Sequence, residues 1–170
     1  MRLTSFSDYA LRVLMYAHSR KDRLVTIEET ANAYGISRAH LMKVVNILTR
    51  SEFLLGVRGR SGGFTLARPA NEINLGAVIR ATEPDFALVE CFNPDNRCAI
   101  AHICGLPIIL NEALGAFIGV LDRHTLADIT VNPGDFALPG DGPAPQRGPE
   151  LAPAPGPVPE AVVERAGSDI

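Results

Sequence analysis

The stretch that decides the fold is residues 26–67, TIEETANAYGISRAHLMKVVNILTRSEFLLGVRGRSGGFTLA. It opens with Thr26 followed by Ile and two glutamates, the pattern of a capped helix start. Gly35 permits the left-handed backbone of a tight turn, and Ser37 can cap a second helix that runs to about Thr49. These signals predict a helix-turn-helix.

A β-hairpin is predicted directly after the second helix. Residues 53–57 and 64–67 are short β-prone runs, and the glycine-rich sequence RGRSGG lies between them. A basic hairpin at this place is a wing. The predicted fold class is therefore mainly α with a small β wing, a winged helix-turn-helix.

Outward from this stretch, helical periodicity predicts a first helix over residues 7–19 with Ser7 as its N-cap, and a short helix over 74–83. Residues 106–121 carry a broad apolar surface, which favours a long dimerisation helix at about 105–124. We expect one regulator domain over residues 1–132, with an ordered loop at about 90–105.

The end of the chain differs in composition from the rest. From Pro133 onward, nine prolines and six glycines occupy 38 residues, so residues 133–170 are predicted to be a disordered tail. The N-terminus lacks the pattern of a secretory signal, and no apolar run reaches the ~20 residues that cross a bilayer. We expect a cytoplasmic protein.

Charge is divided unevenly along the chain. Residues 1–68 carry 11 Lys and Arg against 5 Asp and Glu, whereas the remaining 102 residues carry 5 against 14. Because binding to DNA requires cations that neutralise phosphates, a DNA-binding face must lie in the first part. Paired carboxylates, a nucleophile elbow and a phosphate-binding loop are all missing from the sequence, so we do not expect an enzyme.

The second helix of the helix-turn-helix presents polar side chains that could read DNA in the major groove. Two wing arginines could enter a narrow minor groove. The predicted DNA contacts are Ser37, Arg38, His40, Lys43, Arg58 and Arg60. The alternatives are an ordinary amphipathic surface helix and a solvated turn.

Three cysteines, Cys91, Cys98 and Cys104, lie within fourteen positions. Their odd number argues against a disulfide framework, and their spacing is not that of a two-pair zinc site. Three thiolates on one loop before a helix start favour an iron-sulfur cluster with a fourth ligand from elsewhere. Unligated thiols and zinc remain alternatives, and His102 is a possible ligand.

Several motifs in order resemble a family of winged-helix iron-sulfur regulators of transcription. They are MRLTSFSDYALRVLMY at the start, GISRAHLMKVVNILTR, VRGRSGGFTLARPA, the three cysteines and the late TLADI. The resemblance covers residues 1–132. It implies a homodimer that crosses through the long helix, bound to double-stranded promoter DNA with a palindromic operator.

The resemblance also implies a ligand set. In the nitric-oxide-sensing branch of this family, the three loop cysteines are joined by an aspartate near the N-terminus of the partner subunit, and Asp8 stands at the matching place. The cluster-biogenesis branch uses a histidine three positions after the last cysteine, where this chain has Pro107. The gap from Cys91 to Cys98 is six residues rather than the commoner five. Without the resemblance, Asp8 is simply a first-turn acid that stabilises its own helix.

The function that the resemblance implies is a repressor that senses nitric oxide: nitrosylation of its cluster weakens DNA binding and derepresses detoxification genes. Three cysteines and an aspartate fit a 4Fe-4S cluster, which we favour, or a 2Fe-2S cluster. One alternative is a repressor of the same family that senses iron availability. Another, of a different class, is a small electron-transfer iron-sulfur protein.

Overall fold

The computed structural model describes residues 2–130, and the predicted disordered tail lies outside them. Three short 3-10 turns lie among the described residues, at Ala70–Glu72, Glu90–Phe92 and Leu126–Ile129. The helices and strands, in chain order, are α1 (Ser5–Ser19), α2 (Ile27–Tyr34), α3 (Arg38–Arg50), β1 (Leu54–Val57), β2 (Gly63–Leu66), α4 (Leu75–Thr82) and α5 (Leu106–Asp122). The predicted fold class, mainly α with a two-stranded β wing, is confirmed.

The helix-turn-helix forms from the local signals that predicted it. The Thr26 hydroxyl accepts a hydrogen bond from Glu29 N at 3.1 Å and caps α2. Gly35 has a φ of 63°, in the left-handed region where a residue without Cβ is favoured. Ser37 caps α3 by accepting from His40 N. The turn between the helices is therefore determined by three residues.

The predicted N-cap of α1 is wrong. The helix begins at Ser5 and is capped by Thr4, whose hydroxyl accepts from Ser7 N at 3.3 Å. Ser7 itself is fully buried, and its hydroxyl lies 2.8 Å from Thr82 Oγ1 at the end of α4. The prediction failed because Ser7 makes its bonds to a residue 75 positions away, which local sequence cannot reveal.

One core joins α1, α3, α4 and the base of the wing. Its fully buried large side chains include Leu14, Leu41, Leu48, Leu54, Phe64, Ile73 and Val78. Phe64 also exchanges backbone hydrogen bonds of 2.8 and 2.9 Å with Val25, ahead of α2. At Gly63 a Cβ would lie 2.5 Å from Val25 O, so this close approach of two backbones requires glycine.

The wing is an antiparallel hairpin in which Leu54 pairs with Leu66 and Val57 pairs with Gly63. The first strand was predicted at residues 53–57 and the second at 64–67, so each boundary differs from the prediction by at most one residue. Phe53, just before β1, is buried beneath the hairpin, and its carbonyl accepts from Ala67 N. The wing is thus fixed to the core at its base and free at its tip.

The last helix, α5, packs on α4 but leaves most of its surface open. Among the described residues of α5, Ile118 alone is buried. Ile108 and Ile109 are 74% and 64% exposed, and Leu106 and Val120 are exposed as well. Over residues 2–130, no helix combines the length and apolar character needed to span a bilayer.

Candidate functional site

Helix α3 presents a polar face opposite its buried face. Leu41, Val44 and Leu48 are fully buried, so the residues between them must point outward. All four residues predicted on this helix and its cap are exposed: Ser37, Arg38, His40 and Lys43. Two cations and a histidine therefore stand on one surface of a helix that follows a tight turn.

Sequence reasoning missed other members of this face. Asn46 and Arg50 are exposed and extend the polar row toward the end of α3, while Ala39 and Met42 place apolar groups among the cations. Repeated helical spacing of three and four residues, counted from Arg38 and Lys43, could have found them. An amide that can pair with adenine and a side chain that can contact a thymine methyl add to what the face can recognise.

The two predicted wing arginines lie at the hairpin tip. Arg58 and Arg60 are both exposed, on either side of Gly59. Gly59 has a φ of 121°, and its carbonyl accepts from Gly62 N at 3.0 Å. A Cβ on Gly62 would lie 2.4 Å from Val57 O, so this narrow turn requires glycine there too. The tip is thin enough, and positive enough, to enter a groove of DNA.

Helix α2 is held on α1 by a cluster of charged and aromatic side chains. Arg23 forms a close ion pair with Glu29, and the Tyr16 hydroxyl donates to Glu29 at 2.8 Å. The Arg23 hydrogen bond lowers the pKa of the Glu29 carboxyl to about 2. Burial raises the pKa of Tyr34 to about 12, and the Arg12 guanidinium lies 5.7 Å from its ring centre. The cluster fixes the helix that supports α3.

The three cysteines lie on the segment between α4 and α5 and form no disulfide. Cys98 is exposed, whereas Cys91 and Cys104 are half-buried, the latter just before the start of α5. Within residues 2–130, no three Cys, His, Asp or Glu side chains are grouped so that they could hold a metal ion. The donors suit an iron-sulfur cluster chemically, because three free thiols are accessible on one segment. The single chain does not gather them around one point.

Asp8 lies on the outer face of α1. Both of its carboxylate oxygens accept from Arg12 Nε, at 3.0 and 3.1 Å, and about half of each side chain is exposed. The contact is an ordinary pair of residues four apart on a helix surface. Asp8 is therefore accessible to a second molecule.

A polar junction beside Asp8 was not predicted at all. One carboxylate oxygen of Glu83 accepts hydrogen bonds from Thr4 N at 2.9 Å, from the Thr4 hydroxyl at 3.1 Å and from the Ser7 hydroxyl. Glu83 is the C-cap of α4, and the cysteine segment begins beyond it. The junction thus joins the start of α1 to the point where that segment leaves the core.

Sequence comparison gives relatives that align with most of this chain. The HTH-type transcriptional regulator NsrR of Bacillus licheniformis is 48% identical over 134 residues, which are 78% of this chain and 94% of the relative. The NsrR of Bacillus subtilis is 45% identical over 138 residues, with 80% and 94% covered. These relatives are named as regulators of transcription, in agreement with the prediction that the chain is not an enzyme.

Solved structures confirm the fold. IscR of T. potens superposes with a TM-score of 0.61 at 21% identity, covering 76% of this chain and 85% of that one. The global cysteine regulator CymR of B. subtilis gives 0.57 at 23% identity, covering 76% and 95%. Residues 3–132 also match the Rrf2 family, described as iron-dependent transcriptional regulators. The chain belongs to the Rrf2 family of transcriptional regulators, as its motifs indicated.

Proposed function

We propose that the protein is a cytoplasmic homodimeric repressor. Its two DNA-reading heads, residues 5–82 of each subunit, would read a palindromic operator in promoter DNA. The exposed polar face of α3, beside a wing with Arg58 and Arg60 at its tip, is the observation that carries this proposal. Helix-turn-helix dimers read two half-sites with two-fold symmetry. The apolar side chains that α5 leaves open supply a surface for the second subunit, since such patches on soluble proteins mark interfaces.

We further propose an iron-sulfur cluster bound by Cys91, Cys98 and Cys104 of one subunit and by Asp8 of the partner subunit. The thiols are free and accessible, and Asp8 lies on the outer face of α1. Releasing Asp8 from Arg12 costs only about 0.3 to 0.5 kcal/mol, because exposed helix pairs are weak. Four ligands suit a 4Fe-4S cluster, which we favour over 2Fe-2S.

Nitric oxide is the proposed signal. Relatives named NsrR are 48% and 45% identical to this chain over 134 and 138 aligned residues. The motif resemblance also implies that Asp8 matches the aspartate of the nitric-oxide-sensing branch. The bound cluster would supply the iron with which nitric oxide reacts. Ligation by Asp8 would connect α1 of one subunit to the cysteine segment of the other. Loss of that connection would allow the distance between the two heads to change.

A second candidate signal is iron availability, favoured by the description of the family as iron-dependent. The electron-transfer alternative has no comparable support, because the relatives are named as regulators of transcription and that role leaves the polar face of α3 and the basic wing unexplained.

Anaerobically purified protein tests these proposals. Visible absorption spectra should show a cluster that is absent from the Cys98→Ser variant. Gel shifts with promoter DNA should show binding that is lost as nitric oxide is titrated. If an iron chelator alone abolishes DNA binding and nitric oxide does not, the result would support the iron-sensing repressor. Binding that is identical with and without the cluster contradicts both signals.

A further inference from the structure

The end of α5 is attached to α4 by contacts that the functional site does not use. Both oxygens of the Asp122 carboxylate, at the end of α5, pair with the Arg80 guanidinium on α4, at 2.5 and 2.7 Å. Asn74 donates to Asp122 O at 2.7 Å and more weakly to His124 O, while its side-chain oxygen caps α4 by accepting from Ala77 N. Asn74 therefore contacts the last residue of α5 and caps the start of α4.

Two further observations show that this contact, the α4–α5 clamp of Asn74, Gly76, Arg80 and Asp122, fixes a geometry. A Cβ on Gly76 would lie 2.0 Å from Asp122 Oδ1, so α4 lacks a side chain where the carboxylate sits. After α5, the chain returns along the start of α4 and makes backbone hydrogen bonds of 3.0 Å from Leu75 N to His124 O and 2.8 Å from Leu126 N to Ile73 O. The last turn of α5 is held on both sides.

Three of the four exposed large apolar side chains of α5 lie in its opposite half, namely Leu106, Ile108 and Ile109, and the fourth, Val120, lies near the anchored end. The helix is thus anchored at its C-terminal end, on the DNA-reading head, while the proposed dimer surface lies toward its N-terminal end. Its 17 residues span about 25 Å. A change of about 8° at the clamp would move the far end by about 3.5 Å, which is close to the rise of one base pair.

We infer that Asp122 is a positioning residue that sets the distance between the two reading heads, and so the spacing of DNA half-sites that the dimer accepts. This inference rests on the proposed function as a dimeric DNA-binding protein. Asp122 lies outside the exposed face of α3, the wing and the cysteine segment, and it acts by fixing the angle between α4 and α5. Its carboxylate is available for this role at physiological pH, since the Arg80 hydrogen bond lowers the pKa of Asp122.

The test measures spacing preference rather than affinity alone. The full-length wild-type protein, purified anaerobically, selects duplexes from a random-sequence pool. The preferred duplex is then made again with one base pair inserted or removed at its centre. Wild type should lose on the order of tenfold in affinity with either change. Asp122→Asn should lose less than about threefold, because a looser α5 tolerates other spacings.

Two companion variants sharpen the result. Gly76→Ala forces the carboxylate away and should move the preferred spacing by one base pair, and Arg80→Lys should broaden the preference as Asp122→Asn does. If circular dichroism shows that Asp122→Asn is unfolded, Gly76→Ala and Arg80→Lys serve as the test in its place. Glu72→Gln, an equal loss of charge at an exposed position ahead of α4, is the matched control and should keep the wild-type profile.

The outcomes separate the inference from the function on which it rests. If wild type shows a sharp spacing preference and Asp122→Asn and Gly76→Ala show the same one, the inference is overturned and the proposed function stands. A wild-type protein that selects no duplex, or accepts every spacing equally, contradicts the dimeric repressor and this inference together.

Discussion

The DNA-reading head, residues 5–82, and the region that follows it, residues 83–130, bury their apolar side chains to different extents. The head encloses residues from α1, α3, α4 and the wing in one core, with Leu14, Leu41 and Phe64 almost inaccessible. In the second region Ile118 and Leu126 are buried, while Ile103 is 85% exposed and α5 has an open apolar surface. The head completes its core within one chain, whereas the second region leaves much of its apolar surface exposed, as the proposed dimer requires.

Removing a large core side chain from the head should have the largest effect on stability. Phe64→Ala deletes a ring that is 1% exposed and should lower the free energy of unfolding by about 3 to 5 kcal/mol, because a cavity replaces it. Urea denaturation followed by circular dichroism measures the change. Leu55→Ala, at an exposed position on the neighbouring strand, should change stability by less than about 0.5 kcal/mol. Equal effects from both would mean that the head does not depend on this core.

A charge on the open face of α5 should break association without unfolding the head. Ile108→Asp places two carboxylates, one from each subunit, in the proposed apolar interface. Because burying a charge is costly, the dimer dissociation constant should rise by at least about 100-fold. Analytical ultracentrifugation measures this constant. Leu55→Asp, on an equally open part of the wing, should leave it unchanged. If Ile108→Asp still dimerises like wild type, the second region pairs through some other surface.

The pH dependence of the head should reflect Glu29. Because its pKa is lowered to about 2 from 4.5, its ion pair stabilises the protein fully above pH 4.5, and this contribution is lost as the pH falls toward 2. Glu29→Gln should cost about 1 kcal/mol at pH 7, since half of the Arg23 side chain is exposed to solvent. The difference from wild type should vanish near pH 2. Thermal melts across this range test it, with the exposed neighbour Glu28→Gln as a control that should stay within a few tenths of a kcal/mol.

The smallest expected change concerns DNA binding by the head. Arg60→Ala removes one cation from the wing tip and should weaken binding about three- to tenfold, with no change in melting temperature. The slope of log affinity against log salt should fall by about one. Arg123→Ala, at the end of α5, should leave this slope as it is. An unaltered slope for Arg60→Ala would place the wing away from the phosphates.

The difference between the two regions also explains which features could be predicted from the sequence. Gly35, Ser37 and the wing glycines act on residues next to them in the chain, so local patterns predicted the helix-turn-helix and hairpin within about a residue. Ser7 was assigned the wrong role because its partners, Thr82 and Glu83, lie more than seventy residues away. The Asp122 contact with Arg80 escaped prediction for the same reason.

The candidate site divides in the same way. The exposed positions on α3 and the wing followed from periodicity, and the structure places all six predicted residues on the surface. The ligand set of Cys91, Cys98, Cys104 and Asp8 remains a prediction, because its fourth member would come from a second subunit. No pattern within one chain specifies where that subunit sits.

The junction around Glu83 has a practical consequence for handling the protein. Thr4 donates its backbone N–H to that carboxylate, only three residues from Met1. An affinity tag fused ahead of Met1 would therefore be only a few residues from this contact, where it could disturb the first turn of α1. Purification handles and fluorescent labels placed away from this first turn leave the contact between Thr4 and Glu83 intact.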